Sequence, residues 1–153
     1  MVHLSSELAS QTISKRAIAD LLFYLGRSKW EKNYNSHQLT IEAWAVGIWV
    51  KQAGIISYED LAEFIRETTK LKASGLAVDK RSDNLFLVQG SQKSCYAVIR
   101  QNGHYICECM LYRCRHNRLR NELPQLFEAL NRKIFCHHSV AAWMHRTNAE
   151  LTV

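Results

Sequence analysis

Between Cys107 and His138 the chain places four of its five cysteines and three of its seven histidines. Nothing else in its 153 residues restricts the possible folds as strongly. An odd number of cysteines cannot pair completely into disulfides. Cys107 and Cys109 stand two apart in "HYICECM", which reads as a strand. Alternate side chains of a strand share a face, so both sulfurs are expected to point the same way. Two thiols on one face make half of a tetrahedral metal site. Cys136 and His138, in "FCHHSVAAWM", can supply the other half. Residues two apart inside a helix diverge, so Cys136 is expected just before a helix and His138 in its first turn. There the helix dipole favours thiolate charge. Three thiolates, one neutral imidazole and Zn²⁺ form a closed structural set with a net charge of −1.

Rival readings exist within the same segment. Cys114 and His116 repeat the Cys-x-His spacing, and His137 stands next to His138. A set built on Cys114 and His116 would require the strand to reverse within "MLYR", which has neither Gly nor Pro. Polar "NRLRNE" follows His116 in place of an apolar helix face. Cysteine also serves as a small buried hydrophobe, and Cys95, outside the motif, reads that way. A thiol enzyme needs an activated thiolate, oxyanion donors and a cleft. The sequence marks neither of the last two, and has no phosphate loop or catalytic carboxylate pair, so no catalysis is expected.

Ahead of the first cysteine pair lies a hairpin signal. "CYAVIRQ" and "HYICECM" flank Asn102-Gly103, the residue pair that favours a two-residue turn. Such a turn pairs Gln101 with His104, Val98 with Cys107 and Tyr96 with Cys109. Cys-x-Cys after a hairpin, a gap, then Cys-x-His opening an apolar helix resembles the SWIM-type zinc finger. The resemblance covers roughly residues 82 to 145. It implies a ββα-type zinc unit, set here at residues 82–148, that binds DNA or proteins. Its ligands would be Cys107, Cys109, Cys136 and His138. The gap is long for that family and carries what reads as an inserted helix near Pro124. Proteins of this family usually pair the unit with a larger catalytic engine, for which this chain has no room.

Residues 1–78 read as a helical region. Ile18, Leu21, Leu22 and Leu25 keep the helical period, with Gly26 as a stop. "RSKWEKNYNSHQL" is a polar connection carrying Trp30 and Tyr34. Thr40 is placed to cap a helix over "IEAWAVGIWVKQA", ending at Gly54. That segment is apolar nearly all round, which reads as a buried central helix with Trp44 and Trp49 in the core. Ser57 caps a third helix with Leu61, Phe64 and Ile65 inside. "KASGLAVDKRSDN" reads as a loop or a short broken segment and "LFLVQG" as a strand. The expected class is α+β: a helical first part, then a three-stranded zinc-binding sheet and a C-terminal helix.

The net charge is +6 and unevenly spread. Residues 1–90 hold 11 basic and 10 acidic side chains, while residues 91–153 hold 9 and 4. Arg113, Arg115, Arg118 and Arg120 fall inside the gap between the ligand pairs. Guanidinium groups suit phosphate, and Tyr112 or His116 can stack on a base. The expected partner is nucleic acid, DNA above RNA, or an acidic protein surface, with no membrane and no small-molecule substrate; the alternative is a protein-protein adaptor using the helical half and the zinc unit, without nucleic-acid binding. No signal peptide or spanning segment is legible, so an intracellular, cytoplasmic setting is expected. In such a reducing compartment clustered cysteines read as metal ligands.

Overall fold

In the computed structural model, residues 14–25, 39–90 and 94–151 are described. Gly26, Trp30 and Tyr34 lie outside them. The class is α+β: among the described residues there are five helices and two antiparallel sheets. None of these helices is long and apolar enough to cross a membrane. The chain divides into two units, one of Met1–Phe64 with Arg118–Arg132, the other of Ile65–Asn117 with Lys133–Val153.

In the first unit, α1 (Lys15–Tyr24) begins where Ser14 Oγ accepts the Ala17 amide at 3.1 Å, and buries Ile18, Leu21 and Leu22. The segment expected to be a helix from Thr40 is instead a β-hairpin. Strands β1 (Ile41–Trp44) and β2 (Gly47–Val50) pair around Ala45-Val46, and β3 (Gly54–Ser57) completes the sheet. Ile41, Ala43, Ile48, Val50 and Ile56 are buried on one face. Glu42, Trp44 and Trp49 are half-buried on the other. The two indoles stack there at 5.4 Å and 3°, so they are not the core pair that helical reading expects. Apolar residues on both faces satisfy either period, and Gly54, with φ of 86°, turns a strand instead of ending a helix. Helix α2 (Tyr58–Ala73) starts as expected, with Ser57 Oγ accepting the Asp60 amide at 3.1 Å.

The second unit is a four-stranded antiparallel sheet in the order β4 (Val78–Ser82), β5 (Leu85–Gln89), β6 (Cys95–Gln101), β7 (His104–Cys107). It has one strand more than expected, because β4 lies within the segment read as a loop. β4 is largely exposed and charged, so it carries no alternation to read. The β6–β7 turn has positive φ at Asn102 (52°) and Gly103 (78°), as a type I′ turn requires. It pairs Gln101 with His104 and Val98 with Cys107, the expected register. β7 stops at Cys107, so Tyr96 does not pair with Cys109; it pairs with Val88.

Helix α3 (Met110–Glu122) starts immediately after Cys109, and the short α4 (Pro124–Ala129) follows. Helix α5 (His137–Leu151) packs across all four strands of the second sheet. Phe86, Val88, Val98, Ala141 and Ala142 form its core, continuous with Cys107, Cys109, Tyr112 and Cys136. Each large apolar side chain fully buried there contributes roughly 1.5–3 kcal/mol.

Candidate metal centre

Four side chains converge at one end of this core. Cys107 ends β7, Cys109 sits in the bend before α3, Cys136 immediately precedes α5 and His138 is in the first turn of α5. Their ligand atoms lie within 4.8 Å of one another, and all four residues are buried. His138 Nδ1 is 3.9 Å from both the Cys107 and the Cys136 sulfur. With Zn–S of about 2.3 Å and Zn–N of about 2.0–2.1 Å, a zinc tetrahedron has edges of roughly 3.5–3.8 Å. The cluster needs only a small contraction to reach them.

Cys107 and Cys109 converge for a reason other than a shared strand face. Cys109 has left the strand, and the chain folds back so that its amide N–H donates to Cys107 Sγ at 3.4 Å. The Tyr112 amide donates to Cys109 Sγ, and the Ser139 amide to Cys136 Sγ, each at 3.4 Å. Every sulfur of the cluster thus accepts one backbone N–H, an arrangement that favours thiolates. Ser139 Oγ also accepts the Cys136 amide at 2.9 Å, closing the helix start.

The electrostatics divide the thiols. Cys136 is pulled down to about 4, first because Cys107 hydrogen-bonds to it, then through Ser139, against the opposing effect of burial. Cys107, as the donor to a neighbouring thiolate, is pushed up. Cys109 is pushed up by burial first. Cys136 is therefore the thiol favoured as thiolate, and a bound cation would favour the same state in the other two.

The imidazole points to the same need. Among the described residues, buried His138 Nε2 has no hydrogen-bond partner, and Nδ1 meets the Cys107 and Cys136 sulfurs. Tyr96 packs on the ring at 4.5 Å and His137 at 4.1 Å. A buried imidazole so poorly satisfied, among three sulfurs, is a donor set that fits a borderline-soft metal ion. The four residues can coordinate one. The other candidates do not join them: His137 is beside the cluster but outside it, and Cys114 and His116 lie along α3. His116 Nδ1 meets Asn117 Oδ1 at 3.5 Å.

The four arginines all fall on α3 but have different surroundings. Arg113 and Arg120 are exposed; Arg120 lies over the Phe127 ring at 5.6 Å. Arg118 is partly buried and engaged. Arg115 turns inward, and its Nη1 donates to the Phe135 carbonyl at 2.8 Å. The sequence reading placed Arg115 with its neighbours and gave no part to Ser139 or to the Tyr112 amide. Ser139 was open to detection: Ser three residues after Cys136 is spaced to bond the helix start. Comparison with protein-family models, with curated proteins and with solved structures found no match for this chain.

Proposed function

We propose that Cys107, Cys109, Cys136 and His138 hold a structural Zn²⁺ in a SWIM-like unit, and that the chain is a non-enzymatic binding module for nucleic acid, DNA above RNA. The observation that carries the zinc reading is the closed set of three sulfurs and one imidazole, all buried. A structural site fills its coordination with protein ligands, whereas a catalytic one keeps a position for water or substrate. Zinc, when bound, supplies folding free energy by tying the bend after β7 to the start of α5. The protein's own part is to present three sulfurs already met by backbone amides, and an imidazole packed by Tyr96 and His137.

Charge supports the nucleic-acid partner. The basic excess lies in the second part of the chain. On α3, Arg113 and Asn117 are exposed and His116 partly so, and Arg120 follows on the same side of the helix, seven residues beyond Arg113. These groups offer donors to phosphate and a ring to a base. The test joins elemental analysis of the full chain with oligonucleotide binding over a salt series. One zinc per chain, and DNA affinity that falls as salt rises, are expected. Absence of metal removes the zinc reading, and absent or salt-indifferent binding removes the partner.

A second reading, a protein-binding adaptor, is favoured by one feature. A groove of about 420 Å³ runs along β6 and β7 beside α3, lined by Ile99, Ile106, Tyr112, Arg113 and His116 among others. Ile99 is 50 % and Ile106 40 % exposed. In this reading the chain binds no nucleic acid, so absence of oligonucleotide binding by the zinc-loaded wild type favours it and salt-sensitive binding counts against it.

A further inference from the structure

Arg115 is a partly buried arginine of α3 whose guanidinium bonds the backbone ahead of Cys136. Its guanidinium is partly buried, and that burial pulls its pKa down. Among the described residues it makes one hydrogen bond, to a neutral acceptor, the Phe135 carbonyl. Among the described residues no carboxylate pairs with it. Withdrawing a guanidinium even partly from water is costly, and the cost is offset where an anion is supplied. Its only bonded neighbour among the described residues, Phe135, is joined directly to Cys136, so the charge nearest it along the chain is that of a metal-ligand sulfur.

The placement is specific. Phe135 directly precedes Cys136, so the guanidinium holds the backbone that delivers one ligand. Tyr112, one turn earlier on the same side of α3, gives its amide N–H to the sulfur of Cys109. A single face of α3 therefore serves both ligand pairs. Protonated thiols have no charge for Arg115 to meet. Three thiolates and an imidazole around Zn²⁺ carry one surplus negative charge, which one guanidinium neutralises.

We infer that Arg115 is the counter-ion of the metal centre: it balances the surplus charge of the three-thiolate site and fixes the backbone ahead of Cys136. The inference rests on the zinc reading above. It makes Arg115 a positioning residue for the ligands and removes it from the set of arginines open to nucleic acid.

The test is zinc affinity of the full-length chain, measured by chelator competition, for wild type, Arg115→Lys and Arg115→Gln. Gln keeps a donor for the Phe135 carbonyl and loses the charge. Affinity about ten- to a hundredfold weaker is expected for Gln, with Lys within about threefold of wild type. Gln equal to wild type, or Lys as weak as Gln, overturns the inference. The second arm uses Cys109→His, which keeps four ligands but makes the zinc centre neutral. In that background the Gln penalty should fall below about threefold, and an undiminished penalty overturns the charge argument. This arm also decides the matter if Arg115→Gln fails to fold with the native ligands. A wild-type chain that takes up no zinc refutes the zinc reading itself. A wild-type chain that binds zinc, with a Gln variant that binds it equally, refutes only the role of Arg115.

Discussion

At the scale of single residues, the site is made by the backbone as much as by the side chains. Three amide N–H groups, from Cys109, Tyr112 and Ser139, each reach a sulfur. They separate Cys136 from Cys114, which shares the Cys-x-His spacing but lies along α3. Cys136→Ala should abolish metal retention and cost at least about 4–5 kcal/mol, the range reached by loss of a bound metal. Cys114→Ala should retain metal and shift stability by about 1 kcal/mol or less. Elemental analysis and denaturant unfolding of the two variants check both. The pH dependence has a definite sign. Cys136 is depressed to about 4, so its contribution to stability is complete above the unfolded thiol value and is lost as pH falls toward 4. Cys107 and Cys109 are raised, so without metal their contribution is complete below the unfolded value and is lost as pH rises through their folded values. Metal binding must reverse that protonation. Binding at neutral pH should thus release about two protons, and affinity should weaken on acidification. Titration calorimetry in buffers of different ionisation enthalpy measures the release; a value near zero would refute the assigned thiol states.

At the scale of elements, what the sequence reveals depends on whether a segment has one face or two. The β6–β7 register is legible because Asn102 and Gly103 adopt the positive φ values that their turn demands. The start of α5 is legible because Cys136 and His138 can converge only at a helix end. The hairpin at Ile41–Val50 is not, since Trp44 and Trp49 place apolar surface opposite Ile41 and Val50. A helix and a strand pair then fit equally well. Helix α3 escapes notice for the opposite reason. Tyr112, Leu119 and the inward Arg115 give it little apolar stripe, and its course is set by tertiary contacts. Gly47 shows what the hairpin requires: a Cβ there would run into the Ile56 carbonyl of the neighbouring strand. Gly47→Ala should cost about 1–3 kcal/mol, where a helix would have gained stability, and thermal unfolding reads the sign. Tyr58, at the start of α2, donates through its hydroxyl to the Trp44 carbonyl at 2.6 Å. Tyr58→Phe should cost about 1 kcal/mol in the same assay.

At the scale of the whole molecule, the α+β class follows from a change of period along the chain, and the uneven charge is legible by counting. The surroundings of the individual arginines are not, because side chains close in sequence face different sides of a helix. If nucleic acid binds through α3, Arg113→Ala with Arg120→Ala should lower the salt dependence of log affinity by about 2, one for each phosphate no longer held. Fluorescence anisotropy over a salt series measures that slope, and an unaltered slope would remove α3 from the interface. The division of the chain has a further consequence. Leaving Cys109, the chain completes α3, contributes Arg118–Arg132 to the other unit, and returns in time to deliver Cys136. An ion gripping both ends of that detour behaves as a cross-link, and a covalent tie around a loop of this length would restrict the unfolded chain by about 3.5 kcal/mol. If a metal is held there, it closes the loop between Cys109 and Cys136, and chelation should free residues of that loop that never meet the metal.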